Sequence, residues 1–581
     1  MAQPGTDASI PFGVRQLPPG TLAPIDLRRL LWAGIGLTAA ALLFILSNGE
    51  VHGRIFWHLL TVYDGPAAGV MAAILVAGLV TGHLWRGDEN RVERLVLAVD
   101  RYRFIIAGLL WLVLAIGSRV AYHNHPLSLD EYTAYFQAQV FAAGELNGRF
   151  PPELIDRLIP RPFQNYFFVV DRSTGAVASA YWPGFSLLLA PFVAAGIPWA
   201  CNPALVALSF LLIGRLTRDV VRSPVAAGWA MLFALASPAF LINGISYYSM
   251  PAHLLLNLLF AWLLLSPSPS RLFLAGLAGG YASVLHNPFP HMVFALPWIV
   301  WLATRPGQRL RNLWWHGLGY LPVLLFLGLG WKLWQQALQV GLAAASAGAE
   351  ITSAEPAPAL IERATGLFMA LFGAFELPDK AVVQARFGGL AKLWLWTSPL
   401  LLLLAWQGGR GERDTALRLF GASALLTFFA YFAVPLDQGH GWGYRYFHAA
   451  LGVVPVLAAA GVLKLSARPI GPVRPLTSVA VMAFASVFVM TGLRLFQVDD
   501  FIAKHLAQRP PMHATGRQVL FHHGEGYFAK DLIQNEPWLR GRTLVLLKGK
   551  DADDASIAAR YLPGNYSVER NRFGASYFAV K

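Results

Sequence analysis

The sequence predicts an all-α polytopic membrane protein of about thirteen transmembrane helices, with a small α/β domain after the last span. Three observations predict it. Of 581 residues, 56% are hydrophobic and only 13% charged, against about 25% charged in soluble domains. Apolar runs approach the roughly 20 residues a helix needs to cross a bilayer, and they recur along the chain. Lys and Arg gather in every second loop between those runs.

The spans are assigned to 30–48, 66–85, 104–122, 202–216, 225–242, 251–267, 272–287, 290–304, 313–335, 388–406, 417–436, 446–463 and 476–494. The basic groups are Arg28 and Arg29; Arg86, Arg91, Arg94, Arg101 and Arg103; Arg215, Arg218 and Arg222; Arg305, Arg309 and Arg311; Arg410, Arg413 and Arg418; and Lys464, Arg468 and Arg474. Cytoplasmic loops carry such excess positive charge, so the N-terminus is expected inside. An odd number of spans then places the C-terminus outside. The net charge of +14 and pI near 9.9 follow from this bias and call for no nucleic-acid partner. The mean hydropathy of +0.48 agrees. A single cysteine, Cys201, excludes an intrachain disulfide and a Cys-based metal cluster.

Residues 1–29 are Pro- and Gly-rich and are expected to be a disordered cytoplasmic N-terminus, with no cleavage site after the first apolar run. Residues 30–103 form a hairpin of two spans and a basic loop, and 104–495 the main membrane region. The run Pro183–Pro198 is too short to span, is broken by a Pro, and is expected at the interface. Counting it as a span would also reverse the sidedness of every later loop. Two long external segments result, at 123–200 and 336–387. In the first, Tyr132, Phe136, Val140 and Phe141 recur at helical spacing and predict a helix on the membrane surface. The second contains the short amphipathic run ALIERATGLFMALFGAFELP.

Residues 496–581 are richer in charge and turn formers. There QVLFHH, RTLVLL, YSVERN and SYFAVK predict strands, and YFAKDLIQNEPW and DDASIAARYL predict helices. There are no internal repeats, and GEG at 524–526 lacks the context of a dinucleotide-binding turn.

Asp130 and Glu131 are the leading candidates for chemistry. Two adjacent carboxylates follow the third span at the start of a helix that Ser128 could cap. A carboxylate there can accept a proton from an attacking hydroxyl; equally, acidic residues simply suit a helix N-terminus. Arg445 lies in GHGWGYRYFHAALGVVP, where a loop enters a span. A cation there needs a partner or a polar cavity, and a guanidinium suits bidentate phosphate contact. Trp442, Tyr444, Tyr446 and Phe447 could pack on a lipid or sugar, or form an aromatic belt. His123, His125, His253, His286, His291, His440, His448, His522 and His523 face the predicted outer side, but no pair has a specific zinc spacing, so no metal site is assigned. His286, before Asn287-Pro288, could contact a phosphate. Arg119 could snorkel outward or bind an anionic headgroup. Tyr247 and Tyr248 are expected to be interfacial aromatics.

Four stretches in order resemble the GT-C superfamily of membrane glycosyltransferases. They are SLDEYTAYFQAQVFAAGEL, YWPGFSLLLAP, GLAGGYASVLHNP and GWGYRYFHAALGVVPVLAAAG. The likeness spans about 104–465 and is to the branch containing protein O-mannosyltransferases and aminoarabinose transferases of lipid A. It implies a lipid-phosphate-dependent hexosyl or pentosyl transferase that takes sugar from a polyprenyl-phosphate donor and inverts at the anomeric carbon. It implies a hydroxyl acceptor on protein, lipid or glycan, a site on the outer face, and a bacterial inner-membrane location with the C-terminal domain periplasmic. The carrier phosphate is its own leaving group, so neither cofactor nor metal is required. Asp130 maps to the catalytic base, Glu131 to a residue positioning or assisting it, and Arg445 to the holder of the carrier phosphate. Where many relatives have Lys before a Pro pair and Arg before a later Pro, this chain has Tyr181-Trp182 and His286-Asn287. Arg445, Arg119 or His286 would then complete the phosphate clamp. A lipid or glycan transporter is the main alternative; such proteins place charges at mid-membrane and often show inverted repeats. A non-catalytic assembly protein and an O-antigen-ligase-like enzyme are further readings.

Overall fold

The apolar runs fold as helices, which satisfy every backbone N–H and C=O internally where lipid offers no partner. A computed structural model describes residues 26–51, 53–84, 89–346, 376–467, 474–525, 528–562 and 564–580. Most of the amphipathic run at 359–378 and most of the predicted disordered N-terminus lie outside the described residues.

Six described helices are long and apolar enough to cross a membrane: Leu27–Asn48, Ile55–Leu84, Arg103–Val120, Arg309–Gln339, Thr415–Ala433 and Pro475–Leu506. Two bent pairs, Pro224–Leu235 with Pro238–Ile245 and Arg445–Leu451 with Val453–Ser466, raise this to eight. Helices also occupy the other predicted spans, and length and composition of the described helices do not by themselves confirm the count of thirteen. Met250–Leu264, Pro269–Ser283 and Phe289–Thr304 have 15 or 16 residues, about 23 Å of rise against a hydrocarbon core of about 30 Å. The predicted span 388–406 is two helices, Lys380–Leu395 and Leu401–Gly409, separated where Leu400 adopts positive φ. The last span continues as helix to Leu506, beyond its predicted end at 494.

The interior is not free of charge. Asp64, Lys392 and Arg494 meet with at most 1% exposure. Asp64 accepts from Lys392 Nζ at 2.6 Å, Arg494 Nη1 at 2.7 Å and Trp396 Nε1 at 2.6 Å. This ties the N-terminal hairpin to two later helices, Lys380–Leu395 and Pro475–Leu506. Burying such charges is costly unless each is paired, so the network fixes the packing of these three segments.

A polar cap covers one end of the helices. Its first part, from the segment after Val120, contains the helix Leu129–Ala142 and a small antiparallel sheet, with β1 (Gly148–Arg149), β2 (Phe168–Val170) and β3 (Ala176–Ser179) in the order β1-β3-β2. The second part follows Leu506. Here β4 (Gln518–His522), β5 (Thr543–Leu547), β6 (Tyr566–Asn571) and β7 (Gly574–Ala579) form a sheet in the order β5-β4-β7-β6. Pairing is parallel only between β4 and β5. These strands and the helix Asp551–Tyr561 match the sequence reading. The predicted helix at 527–538 is only a short 3-10 turn, Ala529–Leu532.

The two parts share one hydrophobic core. Tyr132, Phe136, Phe150 and Phe168 pack in a single cluster with Phe521, Leu546, Ile557 and Tyr577. Accordingly, the apolar face of Leu129–Ala142 is buried under the sheets rather than laid on lipid. Tyr132 Oη donates to Asn535 O at 2.5 Å and accepts from Asn535 N at 2.7 Å, and Arg149 N donates to Pro537 O at 2.9 Å. The C-terminal segment is therefore half of one cap.

Candidate functional site

A cavity of about 1550 Å³ lies between the cap and the helices. Its polar end is walled by Asp130, Tyr181, His286, His440, Arg445 and Asp531. Its other end runs down the face Phe289, Met292, Val293 and Leu296 of one helix, opposite Leu324, Leu426 and Ala430. Four positions at helical spacing span about 10 Å of that helix. Met292 and Leu296 are each 48% exposed, so this arm is open at the helix surface.

Asp130 sits in the first turn of Leu129–Ala142, where the helix N-terminus favours a negative charge. Its Oδ1 accepts from the Tyr181 hydroxyl and its Oδ2 from Arg445 Nη1 at 3.0 Å. Burial alone would raise this carboxyl; the Arg445 guanidinium and the Tyr181 hydroxyl outweigh it and hold the group below its ordinary value. The side chain is 26% exposed, into the cavity.

Arg445 is fixed from several sides. Its Nη1 also donates to Gln438 O at 3.0 Å and His440 O at 2.7 Å, and its backbone N to Gln438 Oε1 at 3.0 Å. The guanidinium lies 4.1 Å over the Tyr248 ring. Gly439, Gly441 and Gly443 all have positive φ, and a Cβ at Gly441 would fall 2.1 Å from Arg445 Cδ. The glycines let the loop wrap around the arginine, a need only glycine meets without strain. Nε and Nη2 have no acceptor among the described residues and remain available to a ligand.

Glu131 points the other way and is fully buried. Its Oε1 accepts from Tyr122 Oη at 2.9 Å and Tyr247 N at 2.8 Å; its Oε2 accepts from Leu127 N at 2.7 Å and Ser128 N at 3.3 Å. Burial outweighs these donors and raises its carboxyl to about 7. Glu131 anchors the turn that carries Asp130; it does not line the cavity. Tyr181 and Trp182 do line it. The Tyr181 ring stands 4.0 Å from the His286 ring, and Trp182 N donates to His286 O at 3.3 Å. Tyr446 lines the cavity, stacked on Tyr431 at 4.4 Å, while Tyr444 is buried behind it.

Arg119 is not brought to the cavity. It is exposed, with its guanidinium 5.5 Å over Trp199. His123 instead pairs with Asp499 at 2.8 Å, and His125 lies against Arg509 at 3.2 Å. Among the described residues no three His, Cys, Asp or Glu side chains converge as metal ligands would.

Several wall residues escaped sequence reasoning. Tyr248, expected at the interface, is buried beneath Arg445 and its hydroxyl contacts Ser128 Oγ at 3.0 Å. Asp531, from the C-terminal half of the cap, faces His440 at 3.1 Å, and Lys530 lines the wall beside it. Arg54 of the N-terminal hairpin reaches the same wall and pairs with Asp437 at 3.5 Å. Arg386, buried within a helix, donates to Tyr431 O, Val434 O and Leu436 O and fixes the loop leading to Arg445. The GHGWG glycines were the sequence signal for that loop; nothing local marked Asp531 or Arg386.

No family model matches the chain, and no curated protein matches it in sequence. Among solved structures, the fold is similar to ArnT from Cupriavidus metallidurans bound to undecaprenyl phosphate, with a TM-score of 0.50 at 12% identity over 82% of this chain and 98% of that chain. The apo state of the same protein gives 0.45 at 12% identity, over 80% and 92%. Identity this low carries the fold alone: over 82% of its length, the chain folds like the undecaprenyl-phosphate-bound ArnT.

Proposed function

We propose that the chain is a membrane glycosyltransferase that moves a sugar from a polyprenyl-phosphate carrier to an acceptor hydroxyl on the outer face of the membrane. The observation that carries this reading is the pairing of Asp130 with Arg445 in one polar wall, at the head of an apolar arm open at the helix surface. A polyprenyl phosphate has the matching form, an anionic head on a long apolar tail. The undecaprenyl phosphate held by the similarly folded ArnT supports the same donor class.

The reaction is a single displacement with inversion. The acceptor oxygen attacks the anomeric carbon, the carbon–oxygen bond to phosphate breaks, and the phosphate leaves with the electron pair. Asp130, ionised at neutral pH, takes the acceptor proton. The free Nε and Nη2 of Arg445 face the charge that develops on the leaving phosphate, where fixed cations act strongly in a site shielded from water. Glu131 fixes the turn beneath Asp130, and Tyr181 orients its carboxylate.

The test is transfer by the full chain in nanodiscs, using radiolabelled undecaprenyl-phosphate sugars with membrane extract as acceptor. Label is expected to pass to acceptor with release of undecaprenyl phosphate in the wild type and not in Asp130→Asn. Failure to bind any polyprenyl phosphate, with or without sugar, overturns the reading.

A further inference from the structure

Three carboxylates line the cavity: Asp130, Asp437 and Asp531. Two of them have donors from the protein. Asp130 accepts from Tyr181 and Arg445, and Asp437 accepts from Gly439 N at 2.9 Å and pairs with Arg54 at 3.5 Å. Asp531 differs. His440 Nε2 stands 3.1 Å from its Oδ2 but makes no hydrogen bond there, and among the described residues no other N–H or O–H group donates to either oxygen. Buried polar side chains in native proteins are nearly always partnered, and each orphan calls for an explanation.

The backbone around Asp531 is held in place. It stands in the turn Ala529–Leu532, and its N donates to Phe528 O at 3.0 Å. Gln534 Nε2 donates both to Asp531 O and to Pro126 O, each at 2.8 Å, which ties the turn to the segment leading to Asp130. The side chain keeps 10% of its surface, and its carboxylate, unlike the ring nitrogens of His440, is not closed off from the cavity.

Its place and its chemistry select the partner. His440 O accepts from Arg445 Nη1 at 2.7 Å, and that same nitrogen holds Asp130 Oδ2 at 3.0 Å. Asp531 therefore lies beside the pair between which the reacting sugar must sit. An ionised carboxylate only accepts hydrogen bonds. The carrier phosphate, also an anion, is repelled by it, and an isoprenoid tail offers no donor. Sugar hydroxyl groups do donate. We propose that Asp531 is a sugar-reading residue whose carboxylate accepts hydrogen bonds from hydroxyl groups of the transferred sugar. This rests on the donor class proposed above.

The experiment measures binding of undecaprenyl phosphate, bare and carrying glucose, galactose, mannose or arabinose, to full-length protein in nanodiscs. Wild type, Asp531→Ala and Asp531→Asn are compared. At least one sugar-bearing lipid is expected to bind the wild type more tightly than the bare lipid. Asp531→Ala should weaken that lipid about tenfold, the worth of one hydrogen bond to a charged group. The bare lipid should bind either variant as tightly as wild type or more tightly, because a negative charge near its anionic head is gone. Asp531→Asn, which keeps the shape and one acceptor oxygen, should lose less than the Ala variant. A carboxylate that merely props the loop carrying His440 and Arg445 would weaken bare and sugar-bearing lipid alike; that result, or no loss for either, overturns the proposal. So does a wild type that binds every sugar-bearing lipid no better than the bare one, which leaves the polyprenyl-phosphate reading standing. A wild type that binds neither form removes both.

Discussion

Arg445 grips Asp130 through one guanidinium nitrogen, Nη1 to Oδ2 at 3.0 Å, and leaves the rest of its donors facing the cavity. The two residues lie 315 positions apart. One arginine thus keeps the proposed base ionised and can still hold an anion beside it. Asp130→Asn keeps the shape and an acceptor for Tyr181 but removes the charge. Turnover should fall about 10²–10⁴-fold, the usual contribution of a general base, with donor binding retained. Unchanged turnover under saturating donor would remove Asp130 from that role.

Replacing Arg445 tests the electrostatic half. Its charge holds the Asp130 carboxyl down against burial. In Arg445→Gln the acid limb of the residual kcat/KM profile should therefore move up by about 1–3 pH units. An acid limb at the wild-type position would show that another group sets it.

Glu131 makes a stability prediction with a definite sign. Its folded-state carboxyl is raised from 4.5 to about 7. The folded state then binds the proton more tightly than the unfolded one, so stability from this group is full below about pH 4.5 and lost as pH rises through about 7. Between pH 5 and 7.5 the wild-type Tm should fall more than that of Glu131→Gln. Glu131→Ala leaves Tyr122, Tyr247 N and Leu127 N without their acceptor and should cost on the order of 3 kcal/mol or more. Parallel pH slopes in wild type and Gln variant would exclude the titration.

The shared core of the cap predicts the effect of truncation. Ending the chain at Leu506 removes β4 to β7, exposes Phe136, Phe150 and Phe168, and strips Lys530 and Asp531 from the cavity. Transfer activity should be lost, and the segment 123–182 should become sensitive to protease. Persistence of both activity and protease resistance would show that the first half of the cap folds alone.

The sequence by itself determined the membrane character, the positions of the helices and the four strands after the last span, because these depend on local hydropathy and period. It also singled out Asp130 and Arg445, since a charge at the mouth of an apolar span is conspicuous wherever it sits. It left the number of spans open, since composition does not reveal where a helix stops short or breaks, as at Leu400. Tertiary structure alone decided which of two adjacent carboxylates faces the cavity. Successive helix positions are turned about 100° apart, so Asp130 meets Arg445 while Glu131 meets backbone donors. It alone brought Asp531, Arg54, Tyr248 and His253 to one wall. Those contacts join segments up to hundreds of residues apart, and no local pattern of charge or hydropathy encodes which distant surfaces will pack together.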